Sequence, residues 1–479
     1  MDGKVAVVVL AAGKSTRFKS STSKLLHELC GKPMIEWVLD AALPLDPAQI
    51  IVVYGTHTSA LAERYAEGYQ GHALEFVLQD PPLGTGHALM QVRKTLAEEI
   101  TQLFVLNGDA LLVTSQELGC LQGALASEGA EHALLTTTVA PPHDLGCVLR
   151  KAEGSALIER IVEAQDAGQG QLQTEEVNTG VYLFSRNVFE HLEQAQENIG
   201  AGQAKGEYYL PDVARISPTL ALHSESIALP VGVNDRAQLA EAEAVLLGRL
   251  RRHWMEEGVT FYMPESTYLH HDVKLAPDME VGPHCVLTRG TRIGAGTKLI
   301  QGCYLQECEI GKDCTLLHVR GTRAVLHDGV RAGPYVNLRP GTVLREGVKV
   351  GNFVETKKAD VGRGSKLPHL QYVGDATVGE GVNIGAGTIF CNYDGVDKHH
   401  TTVGDHVFIG SNSSLQAPLT IGDGAYVAMG SSITKDVPPG ALAIGRARQE
   451  NKEGFAKTLK ERNKRRKEQA QAERHRGES

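Results

Sequence analysis

The segment 366–389 reads KLPHLQYVGDATVGEGVNIGAGTI and sets His369, Tyr372 and Asn383 inside a run of aliphatic–glycine pairs, Val373-Gly374, Val378-Gly379 and Ile384-Gly385. A histidine titrating near ~6.5 is the side chain best suited to take a proton from an attacking amine at neutral pH. Acetyl transfer to such an amine also needs a donor for the oxyanion that forms at the acyl carbonyl. His369 stands just after an aliphatic repeat position, where a bulky polar group contributes nothing to an interior. Glu355 and Lys357 lie about one coil earlier, and Asn392 and Tyr393 follow, so the polar groups form a strip.

A second constellation lies near the start. LAAGKSTRF (10–18) places Gly13, Ser15, Thr16 and Arg17, and then Lys24, directly after an apolar run. Glycine lets backbone N–H groups approach a phosphate, a following helix N-terminus favours an anion, and Arg17 and Lys24 add fixed positive charge. The loop lacks the Gly-x-x-x-x-Gly-Lys-Ser/Thr pattern of a Walker A motif. LNGD (106–109) puts Asp109 at the end of another apolar run, and GVNDR (232–236) supplies Asn234. A carboxylate with one further oxygen ligand is how Mg²⁺ is typically held beside substrate phosphates.

Three regions must position these groups. A chain of 479 residues exceeds one hydrophobic core, which stops growing near ~250–300 residues. KVAVVVLAA (4–12), AQIIVVYG (48–55) and TQLFVLNGDA (101–110) read as strands buried on both faces, with helical patterns such as MIEWVLDAAL (34–43) between them. This alternation predicts a mainly parallel sheet covered by helices, with ligands beyond the carboxyl ends of its strands. Residues 236–257 read as one connecting helix. From about 259, aliphatic residues recur every six: Val281, Leu287, Ile293, Leu299 and Leu305, then Val403, Ile409, Leu415, Ile421, Val427 and Ile433. A period of six fits neither a helix nor a hairpin; it is the hexapeptide repeat of a parallel β-helix. The frame breaks at 323–337 and at FCNYDGVDKHHTT (390–402), and the second break reads as a projecting loop.

The net charge of −9 argues against bulk nucleic-acid binding, although the tail from Asn451 to Arg476 is rich in basic residues. That tail reads as a solvated helix or a contact for an acidic surface. No apolar run reaches the ~20 residues of a membrane span, and the first residues do not form a signal peptide. The eight cysteines include no Cys-x-x-Cys pair, which points to reduced thiols and a cytoplasmic location.

The whole chain resembles the bacterial family of bifunctional N-acetylglucosamine-1-phosphate uridyltransferases/glucosamine-1-phosphate acetyltransferases. The resemblance rests on the glycine loop, QDPPLGTGHA (79–88), NGD, EVNTGVY (176–182), GEYYLPD (206–212) and GVNDR. In the repeat half it rests on GNFVETKKADVG (351–362), HLQYVGD (369–375), NIGAGTIFCNYDG (383–395) and GRARQ (445–449). It implies a Rossmann-like nucleotidyltransferase domain over 1–235, a linker helix over 236–258, a left-handed parallel β-helix acetyltransferase domain over 259–450, and a basic tail over 451–479. The family's pattern implies that Leu10, Ala11, Ala12, Gly13, Lys24, Gln79, Gly84, Thr85, Asn107 and Gly108 contact the nucleotide of UTP. Arg17 would neutralise transition-state charge, Asp109 and Asn234 would hold Mg²⁺, and Gly146, Glu163 and Asn178 would line the sugar. In the second half, His369 would be the base, assisted by Glu355, and Arg339, Lys357, Tyr372, Asn383 and Lys398 would hold glucosamine 1-phosphate. Ala386, Asn392, Tyr393, Ser411, Met429 and Arg446 would line acetyl-CoA. The family also implies a homotrimer in which Lys398 reaches a neighbouring subunit. Ser15, Ser23, Gln165, Met429 and the DLGCV segment (144–148) depart from the common pattern.

Two other readings make different demands. A non-catalytic regulatory subunit of this architecture predicts loss of Arg17, Lys24 and Asp109, and all three are present. A zinc hydratase built on such repeats needs three gathered histidines, and the histidines here show no fixed coil spacing.

Overall fold

The computed structural model describes residues 4–140, 145–163, 175–199, 207–225 and 232–477. Asp144, Gly206 and Gln165 fall outside them. The chain divides into two compact units, Met1–Lys312 and Asp313–Ser479.

The first unit is built on strands β1 (Lys4–Ala11), β2 (Gln49–Tyr54), β3 (Glu75–Leu78), β4 (Ile100–Asn107), β5 (His132–Thr138), β6 (Cys147–Arg150), β7 (Ile158–Val162), β8 (Glu176–Ser185) and β9 (Thr219–His223). Their order across the sheet is β9-β5-β8-β4-β1-β2-β3, with β6 and β7 branching from β8. Pairing is parallel from β4 through β3 and between β9 and β5. Strand β8 runs antiparallel to both its neighbours, so the sheet is mixed at that point. β6 and β7 form an antiparallel pair joined by a short turn, because only a helix-length crossover returns a strand in parallel. The continuous Val-rich run of β1 has both faces covered, which is why its centre, Ala6–Val9, is fully buried. Helices α1 (Met34–Ala42), α2 (Thr85–Val92), α3 (Ser115–Glu128) and α4 (Val188–Ile199), with a shorter helical turn at Ala60–Arg64, pack with these strands.

Helix α5 (Arg236–Glu256) begins where the Asp235 carboxylate accepts the Gln238 N–H at 2.9 Å. It is anchored along its length. Glu243 Oε1 accepts from the Cys30 N–H and the Tyr268 hydroxyl, and Arg249 and Arg251 donate to the carbonyls of Leu112 and Thr267. Three-strand coils follow from Thr260 to Ile310, with parallel partners typically eighteen residues apart, as in Tyr268↔Val286 and Val286↔Tyr304.

His132 is buried at the start of β5. Its Nδ1 accepts the Ser185 N–H at 3.3 Å, so the ring proton sits on Nε2, 2.8 Å from His191 Nδ1. Glu131 lies 3.6 Å beyond His191 Nε2. With Nε2 protonated and donating to His191, His132 has no free lone pair for a metal, although the ligand atoms of the trio cluster within 4.8 Å. Burial, and then the neighbouring His191, push the His132 pKa down to about 3. The unfolded chain therefore takes up this proton first, near ~6.5, and stability falls as the pH drops from there toward 3, by about 1.4 kcal/mol per pH unit. His132→Gln is expected to flatten the pH dependence of the urea midpoint between pH 6 and 4. An unchanged slope would mean that other groups govern acid unfolding.

In the second unit the repeat continues through coils from Thr315 to Ala443. The aliphatic repeat positions Leu344, Val361, Leu367, Val373, Ile409, Leu415 and Val427 are all completely buried. Each such side chain contributes about 1.5–3 kcal/mol by leaving water. The irregularity at 323–337 is not a loop. Its residues form ordinary strands, with Thr315↔Arg331 sixteen apart and Val319↔Val336 seventeen apart, so the corners are merely shortened. The break at 390–402 is a true insertion, since Ala376 pairs Thr401 across twenty-five positions. Tyr393 and Lys398 bridge at its base and Val396 stands 83% exposed at its tip. Helix α6 (Phe455–Gly477) carries the basic tail with nearly all its described side chains exposed. No helix among the described residues is long and apolar enough to cross a membrane.

Candidate active sites

The first site lies at the carboxyl ends of the parallel strands β1, β2 and β4. Leu10 pairs with Asn107 in register, and the Gly108 N–H donates to the Leu10 carbonyl at 2.9 Å, which brings the glycine loop and Asp109 side by side. A cleft of about 580 Å³ is lined by Leu10, Ala11, Ala12, Gly13, Lys24, Gln79, Gly84, Thr85, Asn107, Gly108 and Asp109. All eleven are residues the sequence singles out.

Lys24 Nζ lies 2.6 Å from Asp109 Oδ2, with the two side chains only 11% and 15% exposed. A largely buried ammonium and carboxylate lining a polar cleft present one positive group and one hard oxygen donor. That set suits a phosphate chain accompanied by a small divalent cation. The approach to Asn234 runs close by: a Cβ on Gly232 would stand 3.1 Å from Asp109 Oδ2. Asp109 thus offers one hard oxygen donor of the kind Mg²⁺ takes, with the chain two residues before Asn234 alongside it.

Gly84 has φ +100°, and a Cβ there would meet the Tyr208 carbonyl at 2.5 Å, so only glycine lets the loop close against Tyr208. Ser15 holds a left-handed backbone at φ 48°. The serine keeps a conformation that glycine adopts freely, at a cost of about 1–2 kcal/mol. Arg17 sits on the exposed short helix Thr16–Phe18 and does not itself line the cleft.

Gly146, Glu163 and Asn178 form a separate group. A Cβ on Gly146 would lie 3.1 Å from Glu163 Oε1, and the Asn178 N–H donates to the Gly146 carbonyl at 2.9 Å. The Asn178 amide is fixed by donating to the Tyr182 hydroxyl at 2.7 Å and accepting the Gly180 N–H at 3.0 Å. Burial raises the Tyr182 pKa above the ordinary phenol value, keeping it neutral. The cleft also includes Pro82, Glu207 and Tyr209, which sequence reading did not assign to the site. Glu207 and Tyr209 lie within the quoted GEYYLPD motif, which is the signal that pointed to them.

The second site stands on two adjacent thirteen-residue strands, β10 (Lys349–Val361) and β11 (Lys366–Val378), paired in parallel with Asn352 opposite His369 and Glu355 opposite Tyr372. Side chains from neighbouring coils meet on one face. Arg339 donates to Glu355 Oε1 at 2.9 Å, Asn337 to Oε2 at 3.4 Å, and Lys357 Nζ lies 3.7 Å from Asp375 Oδ2. Asn392 donates to Asp375 at 2.5 Å and lies 3.4 Å from the Tyr372 hydroxyl. Asp375 is thus the hub linking Lys357 and Asn392; it closes the HLQYVGD motif but was not itself singled out. Lys398 stands beside Lys357 of its own chain, whose ammonium holds the Lys398 amine below the ordinary lysine value.

His369 is exposed at a corner, next to Leu370 with φ 52°. Its carbonyl accepts the Gly387 N–H, the Ala386 carbonyl accepts the Asn412 N–H, and the Ser411 carbonyl accepts the Gly430 N–H. His369, Ala386, Ser411 and Met429 consequently form one column up that corner, with Arg446 next to Gly430. Asn383 belongs to the face before the corner, paired with Lys366 and Phe408, whereas Tyr372 lies on the face after it. Tyr393 projects with the inserted loop, its hydroxyl donating to the Gly395 carbonyl at 2.6 Å.

Comparison with known proteins agrees with both halves. The family model of the MobA-like NTP transferase domain matches residues 7–207, and that of the bacterial transferase hexapeptide (six repeats) matches residues 400–435. The bifunctional protein GlmU of Heliobacterium modesticaldum is 43% identical over 461 residues, covering 94% of this chain and 98% of its own. Those of Listeria innocua and Streptococcus agalactiae are 41% identical over 460 and 455 residues, covering 94% of this chain and 98% and 97% of theirs. A relationship of this depth over nearly the full length of both proteins places the chain in the GlmU family of bifunctional proteins.

Proposed function

We infer that this enzyme acetylates glucosamine 1-phosphate with acetyl-CoA and then transfers UMP from UTP to the resulting N-acetylglucosamine 1-phosphate, giving UDP-N-acetylglucosamine and pyrophosphate. The observation that carries this reading is the match to bifunctional relatives over 94% of the chain. The functional halves are residues 1–235 and 259–450, joined by the linker 236–258 that holds α5 and followed by the basic tail 451–479.

In the uridylyl half, an oxygen of the sugar 1-phosphate attacks the α-phosphorus of UTP. A P–O bond forms there as the bond to the β-phosphate oxygen breaks, and pyrophosphate leaves. The chemistry is positioning and charge neutralisation. The backbone of Leu10–Gly13 and Lys24 hold the phosphates, Arg17 meets the developing charge, and Gln79, Gly84, Thr85, Asn107 and Gly108 contact the nucleotide. Gly146, Glu163 and Asn178 line the sugar. Asp109 and Asn234 hold Mg²⁺, which when bound supplies further neutralisation of the phosphates.

In the acetyl half, His369, assisted by Glu355, takes the proton as the glucosamine nitrogen attacks the thioester carbonyl. A C–N bond forms, a backbone N–H near Ala386 steadies the oxyanion, and the C–S bond breaks to release the CoA thiol. Arg339, Lys357, Tyr372, Asn383 and Lys398 hold the sugar phosphate; Ala386, Asn392, Tyr393, Ser411, Met429 and Arg446 line acetyl-CoA. The separation of Asn383 from Tyr372 by a corner supports a homotrimer in which neighbouring copies complete each site. The protein acts in the cytoplasm, and its product feeds cell-wall and lipopolysaccharide synthesis.

Purified protein is expected to release thiol from acetyl-CoA only with glucosamine 1-phosphate, and pyrophosphate from UTP only with N-acetylglucosamine 1-phosphate and Mg²⁺. Absence of either product removes the corresponding half of this reading.

A further inference from the structure

Gln79 is 4% exposed and carries two amide hydrogens and one oxygen. Its Nε2 lies 2.9 Å from the Gly84 carbonyl and 3.1 Å from His87 Nδ1. A carbonyl only accepts, so the nitrogen end of the amide must face Gly84. The second hydrogen then points at Nδ1, which accepts it only while the ring is neutral with its proton on Nε2. Both donors are consumed, and Oε1 has no hydrogen-bond partner among the described residues. What Gln79 offers the cleft is an acceptor.

We propose that His87 is a positioning residue that locks the Gln79 amide with its oxygen toward the cleft, so that the site selects a nucleobase donating a hydrogen at its pairing edge over one accepting there. The inference rests on the reading that Gln79 meets the base of the nucleotide. Uracil donates at N3 and cytosine accepts at N3, so the lock favours UTP over CTP.

The ring is held in place by its surroundings. Gln91, one turn along α2, has its amide nitrogen 3.1 Å from Nε2 and 3.2 Å from the His87 carbonyl. A neutral ring accepts at one nitrogen only, and of the two amides Gln79 is the buried one, so the part-exposed Gln91 is the one that gives up its carbonyl contact and turns its oxygen to the Nε2 proton. His87 also lines a cavity of about 210 Å³ with Gly86, Met90 and Leu192, and the titratable groups facing it there are Glu207, Tyr208, Tyr209 and Asp212. Burial holds the ring below the ordinary histidine pKa, which favours the neutral form the lock requires. Protonation at Nδ1 would oppose the Gln79 N–H. Turning the amide to relieve this would set Oε1 against the Gly84 carbonyl and present a donor to the cleft.

The test is kcat/KM for UTP and CTP in pyrophosphate release by the full chain, for wild type, His87→Leu, His87→Asn and Gln79→Ala. His87→Leu is expected to lower the UTP:CTP ratio by about tenfold or more, the worth of one misdirected hydrogen bond. His87→Asn, whose amide oxygen stands near the place of Nδ1, is expected to restore the ratio. It should also lose the fall in the ratio that wild type shows as the pH drops below the ordinary histidine range. A His87→Leu variant that slows both nucleotides equally, with Gln79→Ala still collapsing the ratio, overturns the role of His87 alone. A Gln79→Ala variant with an unchanged ratio overturns both this proposal and the placement of the base.

Discussion

Asp109→Ala is expected to lower kcat for pyrophosphate release by about 10²–10³-fold or more while leaving thiol release close to wild type. The carboxylate is the one acidic side chain lining the cleft beside the glycine loop apart from Glu207, and it stands 2.6 Å from Lys24. Its loss removes a hard oxygen donor of the kind Mg²⁺ takes and leaves Lys24 largely buried without its partner. Removing one member of such a pair costs about 3–5 kcal/mol when burial is complete, and less here because water reaches both groups. Preserved acetyltransfer in the same sample shows that the repeat unit is folded, and an unchanged circular-dichroism spectrum and a cooperative urea transition are the check on the unit that carries Asp109. Asp109→Asn separates the two effects: it keeps the size and the hydrogen bond but not the charge, so it should retain more stability than the alanine variant and still lose most of the activity. If pyrophosphate release survives both substitutions, the cation is held elsewhere.

His369→Ala should do the converse, lowering kcat for thiol release by about 10²–10⁴-fold, the usual worth of a positioned base, with pyrophosphate release unchanged. His369 is exposed at its corner, and its side chain makes no hydrogen bond among the described residues, so the substitution leaves no buried group unsatisfied. Stability should therefore change little, and a loss of thiol release reports on chemistry rather than on folding. The pH profile adds a second readout. Wild-type acetyltransfer should fall toward acid pH, as general-base catalysis requires, and that limb should vanish from the residual activity of the variant. If thiol release persists, Glu355 or a substrate group takes the proton, and the polar face around Arg339 and Lys357 serves only to bind.

How far such roles could be read in advance differs between the halves. The hexads were legible because burial there follows position along the chain: Val281, Leu344 and Ile409 point inward in the structure as their spacing requires. The insertion at 390–402 was equally legible, since a loop must interrupt the count. The break at 323–337 was legible as a break but its cause was not: a corner shortened by one or two residues disturbs the count without disturbing the coil. In the sheet half, the parallel core β4-β1-β2-β3 follows from strand–helix alternation, but the antiparallel entry of β8 does not. Its direction is set by its neighbours β4 and β5 and by the β6–β7 pair, not by its own residues.

The sequence by itself determined the two architectures and the loops that carry polar groups, because periodic burial and strand-end position are properties of neighbours along the chain; most members of the nucleotide cleft followed instead from the resemblance of its motifs to a known family. Only the tertiary structure decided which of those groups meet. Lys24 reaches Asp109 across eighty-five positions, Asp375 links Lys357 to Asn392, and Gln79 is turned by His87. It likewise decided that a corner divides Asn383 from Tyr372. Such encounters depend on strand direction and on register between coils. A shift of one residue in register would carry a side chain to the opposite face, and that register is fixed by packing over the whole unit.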